Sequence, residues 1–238
     1  MNKLWTFGCS FTAGFTLKPY PDGPNFDMRF KDYRGGTIPP TWNEIVAEKL
    51  GFELNNKAIP GASNYETIER FCFFLHEIKK GDVVIVEWTR VFRYRYGRKT
   101  FLNNLLPSEV NTYKDRGYAS KETLSEFFLN RDDILWKDEV YSWMNFIMTA
   151  CKAIGVEIYF WSADDKIINS ETIETKTKWP CLLPEADIDM MKFLVYFGAT
   201  SVFDETKHLV PDSEHYGEGG HRVMGNIFFD EITRYRSL

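Results

Sequence analysis

The sequence lacks long apolar runs, closely spaced cysteines and any excess of basic residues. No apolar segment is long enough for a leader peptide or a membrane helix, so we expect a protein that is made in the cytoplasm and stays there. The four cysteines include no Cys-x-x-Cys pair, and this wide spacing is typical of reduced thiols. A formal net charge of -5 argues against binding to nucleic acid or to an anionic membrane through bulk electrostatics.

The chain does contain enough apolar material for one large core. Hydrophobic residues make up 44% of the 238 positions and charged residues 26%, a balance typical of a globular protein. No internal repeat or low-complexity tract divides the sequence, so we expect a single domain over residues 1–238. Strands and helices alternate along the chain, which predicts an α/β fold with a doubly wound parallel sheet.

Apolar runs and helical spacing predict the order of elements along the chain. Short apolar or β-branched runs predict strands at 3–7, 52–59, 83–88, 156–161 and 200–203. Helical spacing predicts helices at 42–50, 65–78, 121–130, 134–154, 186–197 and 217–236. Two segments show neither the periodicity of a helix nor that of a strand. We interpret 15–38 as an irregular loop and 90–118 as an insertion at the functional edge of the sheet.

The first predicted strand ends in a candidate nucleophile. Gly8 breaks the strand and Ser10 follows at its carboxyl end, where open α/β sheets bind ligands. A serine hydroxyl needs a neighbouring base and donors for an oxyanion before it can attack a carbonyl. Asp212 and His215 stand three positions apart just before the last predicted helix, so both can face one cleft, with the carboxylate fixing the imidazole tautomer. These three residues form a candidate catalytic triad.

Three motifs together resemble the SGNH/GDSL hydrolase superfamily. They are Gly8-Cys9-Ser10-Phe11-Thr12 after the first strand, Asn56-Lys57-Ala58-Ile59-Pro60-Gly61 after the second, and Asp212-Ser213-Glu214-His215 before the last helix. The resemblance implies a flavodoxin-like three-layer α/β/α sandwich with a central parallel sheet of about five strands. It also implies a serine esterase or deacylase without a cofactor. Ser10 would be the nucleophile, His215 the base and Asp212 its orienting partner, with Ser10 and Gly61 N–H groups as oxyanion donors.

The chain departs from this pattern at two positions. Cys9 stands where the superfamily usually has an aspartate, which removes a polar group that could support the loop. After the third strand the superfamily has an asparagine whose amide is the third oxyanion donor, whereas this chain reads Glu-Trp-Thr-Arg at 87–90. Losing one such donor lowers turnover by about a hundred- to a thousandfold, and Thr89 or Asn64 could replace it. This divergence resembles SGNH-like proteins of bacteriophages, which would act in the host cytoplasm.

The segment after the third strand is basic and aromatic. Trp88, Arg90 and Arg93 could contact a substrate, since guanidinium groups and aromatic faces suit anionic sugars and phosphates. The alternatives are a solvated edge hairpin for the basic residues and a core position for Trp88. A metal site built from His208, Asp212, His215 and His221 is a further alternative by residue type. His221 follows two glycines and better fits the last helix, so we predict no metal.

The residues therefore predict an acyl-ester hydrolase. We expect the partner to be a small molecule or a glycan ester, for instance a carbohydrate carrying an acetyl group, because the sequence has no long apolar segment suited to a lipase lid. Two alternatives remain. One is a binding protein that keeps the fold, has lost the chemistry and uses the basic insertion. The other is an acyltransferase with the same triad.

Overall fold

Four parallel strands form the centre of the fold, in a computed structural model that describes residues 1–14, 40–89, 94–95, 104–105, 122, 133–162 and 218–237. The strands are β1 (Lys3–Phe7), β2 (Glu53–Asn56), β3 (Val83–Trp88) and β6 (Glu157–Ser162), in the order β2-β1-β3-β6. All three pairings are parallel. This order matches the first four positions of the flavodoxin-like arrangement, as predicted. The predicted strand at 200–203 lies outside the described residues.

Helices and one small strand pair complete the described part of the chain. The helices are α1 (Ser10–Ala13), α2 (Trp42–Leu50), α3 (Asn64–Phe74), α4 (Asp133–Ile154) and α5 (Glu218–Arg236), and α3 continues as a 3-10 turn, Leu75–Glu77. Strands β4 (Tyr94–Arg95) and β5 (Asn104–Leu105) pair antiparallel within the predicted insertion at 90–118. The predicted loop at 15–38 and the predicted helices at 121–130 and 186–197 lie outside the described residues, apart from residue 122.

Alternating residues of the sheet build two apolar cores, one on each face. Helices α3 and α4 cover one face with Ile68, Phe71, Val140, Met144, Ile147 and Cys151, against Trp5, Phe7, Val84, Val86 and Phe160. Helices α2 and α5 cover the other face with Trp42, Val46, Ala47, Met224, Phe228 and Ile232, against Leu4, Val83, Ile85, Tyr159 and Trp161. Every residue of β3 is buried, as its β-branched run predicts for a strand covered on both sides. The predicted three-layer α/β/α class is confirmed.

Capping explains which element boundaries the sequence predicts well. Helix α2 runs as predicted, because Thr41 and Glu44 form a capping box at its start and Gly51 adopts a left-handed conformation at its end. Helix α3 begins one residue earlier than predicted, because Ser63 caps it. Strand β2 ends at Asn56 instead of 59, since the following residues leave the sheet as a loop.

The two helices on one face approach each other closely at a glycine. A Cβ atom on Gly225 of α5 would lie 2.8 Å from Cβ of Ile45 and 3.0 Å from the carbonyl oxygen of Trp42. One turn earlier, the Nδ1 atom of His221 accepts a hydrogen bond from the Trp42 N–H at 3.2 Å. His221 is thus a buried helix residue, as predicted, and satisfies an N–H in the first turn of α2. Among the described helices, none has the length and apolarity that crossing a membrane demands.

Asp82 joins the amino ends of the two interior strands. Its carboxylate accepts hydrogen bonds from the Lys3 N–H at 2.8 Å, the Trp5 indole N–H at 2.9 Å and the Lys79 N–H at 3.0 Å. The side chain is buried at the turn into β3, so the first residues of β1 and the chain before β3 share one acceptor. This carboxylate fixes the relative position of both strands at the end remote from Ser10.

Replacing Asp82 with Ala should lower the free energy of unfolding by about 3 kcal/mol or more, because three donors lose their acceptor. Urea unfolding followed by tryptophan fluorescence measures this loss. The matched control is Glu53→Ala, which removes an exposed ion pair with Lys3 at 4.0 Å and should change stability by less than about 1 kcal/mol. Equal losses in the two variants would contradict the role given to Asp82.

Candidate active site

Ser10 is the first residue of a short helix that follows an interior strand. Strand β1 ends at Phe7, Gly8 takes a positive φ of 154°, and Cys9 caps helix α1 in an extended conformation. Gly14 ends the helix in the left-handed conformation, and its N–H bonds to the Ser10 carbonyl. The chain therefore turns sharply at the carboxyl end of β1 and holds Ser10, which is 6% exposed, on that turn.

A carboxylate from the neighbouring strand lies under this turn. Glu87, the fifth residue of β3, has no exposed surface. Its Oε2 atom accepts the Cys9 N–H at 2.9 Å and the Thr12 N–H at 3.2 Å, and its Oε1 atom accepts the Cys9 thiol at 2.8 Å. These N–H groups lie in the first turn of α1, where the helix itself offers no acceptor. Glu87 thus caps α1 from outside the helix.

Gly8 permits this close approach. A Cβ atom at position 8 would lie 2.4 Å from Oε2 and 2.5 Å from Cβ of Glu87, and 3.0 Å from the Thr12 hydroxyl. Real Cβ atoms do not tolerate such distances to a buried side chain, and the φ of Gly8 also disfavours any other residue. The glycine before the Ser10 turn is therefore required by the carboxylate that supports that turn.

Two side-chain amides, one from the buried Asn43 and one from the exposed Asn56, hold the other end of α1. The carbonyl of Thr12 accepts hydrogen bonds from the Nδ2 atoms of Asn43 at 2.9 Å and Asn56 at 3.0 Å. The Thr6 hydroxyl donates to Oδ1 of Asn56 at 3.1 Å, which connects this pair to β1. Ser10 therefore lies between the Glu87 carboxylate, which accepts backbone N–H groups, and the Asn43 and Asn56 amides. Both amides donate to the Thr12 carbonyl.

The loop that carries Gly61 is joined to the same turn. The Ile59 N–H donates to the Gly8 carbonyl at 3.0 Å, and the Ala62 N–H closes a turn onto the Ile59 carbonyl at 3.0 Å. Gly61 takes a φ of 79° within this turn, which a glycine adopts without strain. The Ile59 N–H therefore joins the loop that carries Gly61 to Gly8, which lies two residues before Ser10. The role of the Gly61 N–H as an oxyanion donor stays a prediction.

Asn64 and Thr89, the two candidates for the third donor, bond directly to each other. The Thr89 N–H donates to Oδ1 of Asn64 at 2.8 Å, and Nδ2 of Asn64 donates to the Thr89 carbonyl at 3.0 Å. Both residues are buried. Asn64 thus holds the backbone directly after β3 at two points.

Trp88 packs as a core side chain. Its ring has no exposed surface and stacks against Trp143 at 6.4 Å and Phe160 at 6.1 Å between ring centroids. This packing corresponds to the alternative interpretation of Trp88 and gives no support to a substrate contact. The other residues proposed for the site, Asp212, His215, Arg90 and Arg93, lie outside the described residues, and their roles stay predictions.

Glu87 is the site residue that sequence reasoning missed. The sequence signal for a special role was one acidic residue in an otherwise apolar strand, Val-Val-Ile-Val-Glu-Trp at 83–88. A charged residue there is costly unless its hydrogen bonds are satisfied. Burial raises the pKa of the Glu87 carboxyl above its usual range, and the hydrogen bonds from Cys9 and Thr12 oppose the shift without cancelling it.

Solved structures to which this chain is similar include G-D-S-L family proteins and esterases. A G-D-S-L family protein from Desulfitobacterium hafniense is 12% identical, with 97% of this chain and 99% of that chain covered and a TM-score of 0.48. The psychrotrophic esterase EstA from Pseudoalteromonas sp. is 11% identical, with both chains covered completely and a TM-score of 0.46. A carbohydrate esterase family 2 enzyme from Myceliophthora fergusii is 11% identical over 100% of this chain and 67% of that chain, with a TM-score of 0.44.

No protein-family model and no curated protein sequence matches this chain. At 11–12% identity, the activities named for these structures stay with those proteins. The chemistry of this chain has to be inferred from its own residues.

Replacing Asn64 with Ala should lower the free energy of unfolding by about 2 kcal/mol or more, because the buried N–H and carbonyl of Thr89 lose their partners together. Urea unfolding measures the change. Asn55→Ala is the control, because the Nδ2 atom of Asn55 is buried without a hydrogen-bond partner within the described structure, and its loss should be smaller. A loss in Asn64→Ala no greater than in Asn55→Ala would contradict the two-point hold on Thr89.

Replacing Glu87 with Gln should remove a pH dependence of stability. Because burial raises the pKa of Glu87, the folded state binds this proton more tightly than the unfolded state. The resulting stabilisation is complete below the ordinary glutamate pKa of 4.5 and is lost as the pH rises through the raised pKa. The free energy of unfolding, relative to that of Glu87→Gln, should therefore fall with rising pH in urea titrations. A difference independent of pH would refute this expectation.

Proposed function

We propose that this protein is a serine esterase that hydrolyses acyl esters, with Ser10 as the nucleophile. The observation that carries the proposal is the placement of Ser10 at the start of a helix, at the carboxyl end of an interior parallel strand. Hydrogen bonds to Glu87 and from Asn43 hold this turn on both sides. A nucleophile must be held in a fixed direction to attack a carbonyl. The hydrogen bonds from Glu87, Asn43 and Asn56 supply such a fixed direction for the turn that carries Ser10.

In the proposed mechanism, His215 is the general base. It removes the Ser10 proton as Oγ attacks the acyl carbon, and Asp212 keeps the imidazole in the required tautomer. The N–H groups of Ser10 and Gly61 stabilise the oxyanion. His215 then gives the proton to the departing alcohol, activates a water to attack the acyl-enzyme, and returns that proton to Ser10 as the acid leaves.

We assign the third oxyanion donor to Thr89. Its backbone N–H is used by Asn64, so the donor would be the hydroxyl, on a backbone that Asn64 holds in place. A hydroxyl rotates about its bond, whereas the amide usual at this point in the superfamily is planar, so we expect slower turnover than in related esterases. The proposed substrate carries a small acyl group, such as acetyl on a carbohydrate.

Replacing Ser10 with Ala should abolish labelling by a fluorophosphonate probe and lower kcat on p-nitrophenyl acetate by about 10,000-fold or more, since a triad does not work without its nucleophile. Asp212→Asn and His215→Ala should lower kcat by a similar factor. The matched control is Ser142→Ala, which changes an exposed serine of α4 and should label like the parent protein.

Failure of the parent protein to label, beside a known serine esterase that labels in the same tube, would refute the esterase proposal and favour the binding-protein alternative. Product analysis with and without added alcohols separates hydrolysis from acyl transfer. A new ester in the presence of a sugar alcohol would identify a transferase.

A further inference from the structure

We infer that Glu87 is a positioning residue for Ser10, and that it acts by accepting the backbone N–H groups on both sides of that serine. This inference rests on the proposed function of Ser10. It concerns a residue on a different strand, 75 positions from Thr12 and 78 from Cys9 along the chain. It goes beyond the proposed triad, because Glu87 is not one of the triad residues.

The contacts of Glu87 bracket the nucleophile. A single oxygen, Oε2, accepts from Cys9, directly before Ser10, and from Thr12, two residues after it. The second oxygen bonds to the Cys9 thiol, whose sulfur lies 3.9 Å from the Ser10 hydroxyl. A shift of the carboxylate would thus move the backbone on both sides of Ser10 and the Cys9 sulfur beside its Oγ atom.

Core packing alone does not account for a carboxylate at this place. The preceding inward residue on the same face of β3 is Ile85, which packs in the apolar core. An apolar side chain at position 87 would leave the Cys9 and Thr12 N–H groups without their present acceptor. A buried carboxylate is costly unless donors inside the protein satisfy it, and here those donors are N–H groups of the turn that carries Ser10. The observed residue therefore suits the support of the turn better than it suits the core.

Two substitutions separate hydrogen bonding from charge. Glu87→Gln keeps the shape and one oxygen that can accept both N–H groups, while its amide can donate to the Cys9 sulfur. Glu87→Met keeps the length and removes every strong acceptor. Asp82 offers the matched control, because it is also a buried carboxylate that accepts three hydrogen bonds, and it lies directly before β3 at the end remote from Ser10. Asp82→Asn therefore tests loss of a buried charge without disturbing the Ser10 turn.

The experiment is the rate of fluorophosphonate labelling of Ser10, resolved into the inactivation rate constant and the binding constant of the probe. We expect Glu87→Met to lower the rate constant by about 100-fold, as a misplaced nucleophile does, with the binding constant unchanged. Glu87→Gln should remain within about tenfold of the parent protein, the effect of one altered hydrogen bond. Asp82→Asn should label at the parent rate at a temperature where it is folded.

Parent-like labelling of Glu87→Met would overturn the inference, as would a loss in Asp82→Asn equal to that in Glu87→Met. Should Glu87→Met not fold, Glu87→Asp replaces it. Its carboxylate is withdrawn by one methylene, so it should label more slowly than Glu87→Gln, and the reverse order would overturn the inference.

Failure of the proposed function is separately visible. If the parent protein does not label at Ser10, amide hydrogen exchange at Cys9 and Thr12 decides the role of Glu87. Both amides should be protected in the parent protein and in Glu87→Gln, and exchange faster in Glu87→Met or Glu87→Asp. Unchanged exchange would overturn the inference whatever the activity of the protein.

Discussion

A carboxylate with no exposed surface must find its hydrogen-bond donors inside the protein, and Glu87 finds them in the turn that carries Ser10. This single arrangement constrains several residues at once. Position 8 has to be glycine, because the carboxylate occupies the volume of any side chain there. The Cys9 and Thr12 N–H groups at the start of helix α1 are satisfied from β3, because the N-cap residue makes no side-chain capping bond. Position 9 is a cysteine, and the carboxylate that supports this turn comes from Glu87 on the neighbouring strand.

At the other end of this strand, Asp82 lies directly before β3 and accepts a hydrogen bond from Trp5 of β1. The apolar residues at 83–86 therefore lie between two buried carboxylates. The two apolar cores lie on either side of this stretch and hold the sheet between two helical layers. The position of Ser10 thus depends on long-range contacts. A fragment containing only β1 and α1 would lack the acceptor for the N–H groups of its first turn and the amides that bind the Thr12 carbonyl.

The sequence predicts the elements whose boundaries are set locally and misses those set by distant partners. Helix α2 follows its capping box and terminal glycine, and the β-branched run of β3 is sufficient to place that strand. Helix α1 has too few residues for helical periodicity to appear. The role of Glu87 could not be predicted, because its partners are more than 70 residues away and a lone acidic residue in an apolar run has no periodic signature. For Trp88 the residue type allowed two interpretations, a substrate contact or a core position. Its stacking on Trp143 and Phe160 favours the core position.

The paired bonds between Asn64 and Thr89 have a consequence for how this fold can diversify. Because both backbone groups of Thr89 are held, the chain leaves β3 from a fixed point and in a fixed direction. The segment that follows Thr89 can therefore be lengthened, shortened or exchanged without displacing β3, the strand that carries Glu87. Changes in the segment after Thr89 can thus leave the turn that carries Ser10 in its present geometry.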